Sequence, residues 1–228
     1  MKLYEGLVLL ALNDETGDTL GSYVEYTIAA GVIAELLLLN KIKVNRENKD
    51  KVEVLDNTPT GDPVMDQALQ KIADKKRPDT LKNWVSRIAQ SSRLKHKVAE
   101  QLVADGIVKS EDKKVLWIFN YKVYPELNPE PEQQLRTDMR RLVIDNPIEV
   151  DPRISLLVAL AKSANLLKTV FSKDELKTHR ERIDKIAKGE ELGALTQEVI
   201  SAVQAAMMVA VMMPAIMAAT TASTSNSC

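Results

Sequence analysis

The segment from Val199 to Ala219, VISAVQAAMMVAVMMPAIMAA, limits the possible folds more than any other stretch. A helix that is apolar all round must be buried, either in protein or in lipid. This one is long enough to cross a bilayer. It is built from Ala and Met rather than Leu and Phe, and Ser201, Gln204 and Pro214 interrupt it. Small Ala faces suit close helix contacts, and no basic flank marks a membrane orientation. We therefore expect burial inside the protein, with this segment as the apolar central helix. Residues 220–228, TTASTSNSC, lack large apolar side chains and are expected to be a disordered tail.

Helix signals recur along the rest of the chain. Leu3 to Leu12 is apolar on most sides, and Leu20 to Leu39 ends in the run VIAELLLL. Glu35 stands alone in that run, so it must reach the helix edge or a hydrogen-bonding partner. Ile42 to Val44 and Val52 to Leu55 flank a polar turn and read as a small hairpin. Asp62-Pro63 signals a helix start: a side-chain oxygen for free amides, then a residue with preset φ. Asp66 lies one turn further on. No His or third carboxylate joins these two, so they read as a cap and a helix-dipole contact rather than a metal or acid/base pair. Thr80 precedes LKNWVSRIAQ, with Trp84 on its apolar face. Further helices are expected from Arg93 to Asp105, from Pro131 to about Leu142, and after Asp151-Pro152. A capping box, Ser172 to Glu175, opens a charged helix running to Lys188, which Gly189 ends. The pattern has no βαβ alternation. It describes a mostly α fold: one globular domain over residues 1–219, with about eight or nine helices and two small β-hairpins.

The second hairpin raises the functional question. Gly106 supplies a left-handed C-terminal cap for the preceding helix. Ile107-Val108 then reads as a short strand, Lys109 to Lys114 as a polar turn, and Val115 to Tyr124 as a returning strand. The centre of that strand, Val115-Leu116-Trp117-Ile118-Phe119, is apolar at every position, whereas a strand with one solvated face should alternate. Only two Trp and two Phe occur in the chain, and this strand holds one of each.

Charge and motifs narrow the chemistry. With 31 basic and 32 acidic residues, no overall field draws the chain to nucleic acid or to a membrane, so such binding would need a local patch. The one cysteine, Cys228, cannot form an internal disulfide, which fits a reducing compartment. No secretory signal pattern opens the chain. It contains no P-loop, G-x-G-x-x-G, G-x-S-x-G or H-E-x-x-H motif. His96 and His179 stand alone and read as surface histidines. No catalytic residue, metal ligand or cofactor is expected, and the chain is not read as an enzyme.

A local basic patch does exist at Arg93, Lys95, His96 and Lys97, on the helix before the hairpin. Helix, turn, helix and two-stranded wing is also the winged-helix layout. Here, however, the basic residues occupy only the first turn, and an aromatic wing is unlike one that tracks phosphates, so no nucleic-acid partner is expected. A membrane surface fits both features. Burying two or three of Leu116, Trp117, Ile118 and Phe119 contributes about 1.5–3 kcal/mol each. Each basic residue near an anionic leaflet adds about 1 kcal/mol. The competing reading is that the strand is covered by the C-terminal helix or by a second copy of the chain.

Several stretches resemble the Golgi phosphoprotein 3 family. The most specific is PTGDPVMDQALQKI followed by RPDTLKNWVSRI. EGLVLLALND, AELLLLNKI, VAEQLVADGIV and DPRISLLVALAKSANLL support it in the same order. The resemblance implies a mostly helical domain with a buried apolar central helix and a peripheral role on the cytosolic face of a membrane, at the Golgi in eukaryotes and in the cytoplasm of bacteria. Relatives bind phosphatidylinositol 4-phosphate in a shallow basic pocket beside a hydrophobic hairpin that enters the bilayer or joins subunits. In eukaryotes they act at the Golgi as adaptors that retain glycosyltransferases in vesicle traffic, so the resemblance leaves membrane-protein tails open as partners. Carried over, the hairpin falls on Glu111 to Lys122. The pocket's two basic positions on the preceding helix fall on Lys95 and near Ser92, beside Arg93. Its second-helix arginine and tryptophan fall on Ala29 and near Leu20, with Tyr23 the nearest aromatic. The resemblance thus implies an anionic lipid, a phosphoinositide, at Lys95 and Arg93. It implies a membrane-inserting or oligomerising role for Leu116, Trp117, Ile118 and Phe119, and leaves a homo-oligomer open.

Overall fold

The structure is a computed structural model that describes residues 1–19, 24–91, 93–115, 119–147, 151–190, 199–201 and 203–204, with backbone alone at 114, 115, 119 and 120. The chain opens with α1 (Leu3–Ala11) and α2 (Val24–Leu38), then β1 (Ile42–Asn45) and β2 (Lys51–Val54). Next come α3 (Pro63–Ala73), α4 (Leu81–Ala89) and α5 (Leu94–Ala104). The hairpin β3 (Glu111–Val115) and β4 (Phe119–Val123) follows. The remainder is α6 (Glu130–Arg140), which runs on into a π turn at Arg141–Asp145, then α7 (Pro152–Ser163), α8 (Lys173–Thr178) and α9 (Arg180–Lys188). The fold is a single, mostly α domain with two antiparallel two-stranded sheets.

Within the described residues the central helix is α2. It packs against α1, α3, α4, α5, α7 and β1. Its small residues permit this. Ala29, Ala30 and Ala34 are fully buried, and a Cβ at Gly31 would lie 3.1 Å from the Tyr4 Cα of α1. The segment expected to be central, Val199 to Ala219, lies mostly outside the described residues. Its described part begins inside the core, with Val199, Ile200 and Val203 buried and Gln204 bonded to the Ala187 carbonyl. The tail at 220–228 lies outside the described residues.

Local signals at element starts behave as the sequence implies. Asp62 accepts the Val64 and Met65 amides at 2.9 and 2.8 Å. Thr80 and Asp151 cap α4 and α7, and Ser172 and Glu175 form the capping box of α8. Asp66 also closes the turn before its helix, its carboxylate accepting from both the amide and the hydroxyl of Thr60 at 2.6 Å. Glu35, almost wholly buried, finds its partner in Arg153 of α7 and also accepts the Leu3 amide at 2.8 Å.

Two expectations need correction. The charged helix from Ser172 to Lys188 is two helices, because the backbone leaves helical geometry at His179 (φ −98°, ψ 16°). The expected start of the second helix at Leu20 lies outside the described residues, which take up that helix at Val24. The hairpin is also registered differently. Glu111 pairs with Val123 and Val115 with Phe119, so the polar run expected to turn is itself a strand. Ile107 and Val108 make only a single bridge, Val108 to Glu126. A charged, two-sided strand such as Glu111-Asp112-Lys113-Lys114 carries no alternation, and its composition resembles that of a turn.

Candidate functional site

The candidate site is built from three pieces: the start of α5, the loop of residues 13–19, and the base of the β3–β4 hairpin. The start of α5 is unusual. Its N-cap, Arg93, is left-handed at φ 63° and offers no side-chain cap. A non-glycine residue there is disfavoured by about 1–2 kcal/mol. The Lys95 amide is satisfied instead by Glu25 of α2 at 3.1 Å. Burial raises the Glu25 carboxyl above its ordinary range, while the Lys95 amide and charge oppose that rise. The position where a helix N-terminus would attract an anion therefore already holds a carboxylate of the chain.

Lys95 is half-buried and donates from Nζ to the Thr19 hydroxyl at 2.6 Å, while Arg93 is exposed. His96 is not a plain surface histidine. It is half-buried, its Nδ1 lies 2.9 Å from the Tyr124 hydroxyl, and the two rings are 5.7 Å apart. Burial, together with the charges of Lys95 and Arg93, holds its pKa below the usual value, which favours a neutral ring at physiological pH.

The loop of residues 13–19 joins this basic turn to the hairpin. Asn13 folds it by accepting the Glu15 and Thr16 amides on its side chain and the Gly17 amide on its carbonyl. Gly17 sits at φ +67° with its backbone against the hairpin exit; a Cβ there would be 2.4 Å from the Tyr124 nitrogen. That approach permits the Tyr124 amide to donate to the Gly17 carbonyl at 3.2 Å. On the other strand, Lys113 donates to the Thr16 carbonyl at 2.7 Å and lies 3.6 Å from Asp18. The loop thus holds Lys95 through Thr19 and the hairpin through Thr16, Gly17 and Asp18.

Of the expected site residues, Lys95 is tied through Thr19 to the loop that meets the hairpin, and Arg93 is the exposed N-cap of the same helix. Leu116, Trp117 and Ile118 lie outside the described residues. For Phe119 only the backbone, paired with Val115, is described. Leu20, Tyr23 and Ser92 are likewise outside the described residues. Ala29 is fully buried on α2 and presents nothing to a ligand. Thr19, Glu25 and Lys113 were not expected at the site. The Asn-to-Gly turn of NDETGDT marked the loop, but nothing local placed it between α5 and the hairpin. Among the described residues, no cluster of three His, Cys, Asp or Glu is arranged to hold a metal, and no helix is long and apolar enough to cross a membrane.

A sequence model of the family described as Golgi phosphoprotein 3 (GPP34) matches residues 3–206. The chain belongs to the Golgi phosphoprotein 3 family. A VPS74-like protein of Dictyostelium discoideum is 23% identical over 175 residues, covering 70% of this chain and 67% of that protein. The family match begins at α1, takes in the loop, α5 and the hairpin, and reaches the described start of the C-terminal segment. In this Golgi phosphoprotein 3-type domain, α2 carries Ala29 and Glu25, neither of which could make the bidentate phosphate contacts of an arginine.

Proposed function

We propose that this protein is a peripheral membrane module of the trafficking-adaptor type. It docks on the cytosolic face of an anionic membrane, at the Golgi if the host is eukaryotic. Lys95 and Arg93 contact lipid phosphates, phosphoinositide headgroups being the ligand class, and Leu116, Trp117, Ile118 and Phe119 enter the bilayer. The supporting observation is that one loop ties together the Lys95 ammonium, strand β3 and the residue that follows β4, so a basic group and an apolar hairpin have a common base. Insertion of two apolar side chains with two nearby cations contributes roughly 5–8 kcal/mol before the loss of free motion. The apolar part dominates, and the charges orient the domain.

Ala29 and Glu25 argue for modest discrimination between phosphoinositides and other anionic lipids. Flotation with phosphatidylcholine vesicles tests this reading, comparing phosphatidylinositol 4-phosphate with phosphatidylserine at matched charge. Expected is binding to both, stronger for the phosphoinositide and weakened by Lys95→Glu. Equal binding to neutral and anionic vesicles would contradict the role of Lys95. The second reading, a hairpin that joins subunits without lipid contact, rests on the same apolar run. It is favoured if Trp117→Ser with Phe119→Ser lowers the mass in light scattering while vesicle binding is absent in the parent.

A further inference from the structure

At its opposite edge, the same loop rests on a small cluster of charged groups. Glu132 of α6 is 4% exposed, and its carboxylate accepts from Arg136 Nε at 2.9 Å and Nη2 at 2.5 Å. Arg136 Nη1 donates to the Thr169 carbonyl at 3.0 Å. Its Nη2 also reaches Asp14 of the loop, but only at 3.5 Å. The Asp14 carbonyl in turn accepts the Glu126 amide at 3.1 Å, just after the hairpin. One guanidinium is therefore shared between a buried carboxylate, a carbonyl and the loop, with the loop the most distant partner.

The groups that face Glu132 are Arg136 on its own helix, Asp14 from the loop and Glu126 from the hairpin exit. Helices α1 and α7 also pack on α6. Glu5 and Arg153, which line one cavity with Pro131, are held by Lys2 and Glu35 respectively. Three carboxylates thus compete for one cation. Burial, chiefly, pushes Glu132 up to about 7 against the pull of Arg136, with Asp14 and Glu126 adding to the rise.

We infer that Glu132, Arg136 and Asp14 form a pH-sensitive latch that fastens the loop of residues 13–19, and with it the hairpin base, more tightly as the medium is acidified. When Glu132 takes up a proton, it still accepts a hydrogen bond but no longer holds the guanidinium by charge. Repulsion of Asp14 and Glu126 by Glu132 also disappears. Arg136 then serves Asp14 more strongly, and the loop closes on α6. When Glu132 is ionised, the guanidinium is drawn inward and the loop is released. Because the folded value of Glu132 lies above its ordinary 4.5, its contribution to stability is largest in acid and is lost as pH rises through about 7. The proposal does not depend on membrane docking, and its test uses no lipid.

The test is amide hydrogen exchange at Tyr124 and Glu126, corrected for the intrinsic pH dependence of exchange, together with a carbon NMR titration of the Glu132 carboxyl. Protection at both amides should be about two- to fivefold greater at pH of about 6 than at about 8, the size of an exposed ion-pair gain. Glu132→Gln should give high protection at both pH values. Asp14→Asn, a change at an exposed residue, should give low protection at both. Protection that is equal at the two pH values in the parent would overturn the latch, as would a change that persists in either variant. A Glu132 midpoint in the ordinary carboxylate range would overturn it independently.

Discussion

Glu35 and Arg153 stand 118 residues apart in the chain and meet across the core, the guanidinium reaching one Glu35 oxygen at 2.6 Å. Glu35 is 1% exposed, whereas the Arg153 side chain is 42% exposed. The pair is therefore asymmetric. Removing the cation strands a charge in the core, and removing the anion frees an arginine that water can still reach. Since the carboxylate also accepts the Leu3 amide, it ties α1, α2 and α7 together.

That asymmetry sets the first expectation. Arg153→Ala should destabilise by about 2–3 kcal/mol, less than the roughly 3–5 kcal/mol for breaking a fully buried pair because the arginine is partly solvated. Glu35→Gln keeps an acceptor for the Leu3 amide and should destabilise less. Urea denaturation of the two variants decides the order; a larger loss for Glu35→Gln would place the weight on the hydrogen bonds rather than on the charge.

Gly17 gives a second comparison. It and Gly61 are both left-handed, at φ +67° and +84°, but a Cβ at Gly61 meets nothing within 4 Å, while one at Gly17 would lie 2.4 Å from the Tyr124 backbone. Gly61→Ala should cost only the conformational penalty, about 1 kcal/mol. Gly17→Ala should cost more, and should expose the Tyr124 amide to rapid hydrogen exchange. Equal losses at the two sites would mean that the loop does not hold the hairpin.

A third expectation concerns acid. Glu175 is held down at about 2 by Arg140 and by the Ser172 amide and hydroxyl, and Asp56 is held at about 2 by Lys41 and the Thr58 amide and hydroxyl. Both lie below their unfolded values, so the stability they contribute is complete above the usual carboxylate range and is lost as pH falls toward about 2. Glu175→Gln should flatten the acid limb of stability against pH and lower the neutral plateau by a matching amount, and added salt should do the same to a smaller degree. An unchanged acid slope in Glu175→Gln would contradict this assignment.

What the sequence made legible was local. Asp62 before Pro63, Ser172 with Glu175, and Gly106 and Gly189 after their helices act within one turn of themselves, and each does what its type and position imply. The mostly α class followed from the same signals. What was illegible depended on distant partners or on neutral composition. Glu35 announced that it needed a partner, but Arg153 could not be picked from a chain with so many cations. The strand Glu111–Val115 was hidden because charged residues on both faces look like a turn. The break at His179 leaves no glycine or proline in the sequence to mark it. At the site, Lys95 and Arg93 were visible as a basic cluster. Thr19, Glu25 and Lys113 joined them only because the loop of residues 13–19 folds between α5 and the hairpin, which no short-range pattern encodes.

The most direct measurement is the tryptophan emission of the unmodified protein on vesicles carrying anionic lipid and brominated acyl chains. Trp84 is 3% exposed in the core, out of reach of the bromines, so Trp117 is the reporter. If the hairpin enters the bilayer, emission should shift to the blue and be quenched on binding, and Trp117→Ser should remove the response. Binding to the vesicles with no shift and no quenching would contradict insertion and leave the apolar hairpin to contact between protein chains.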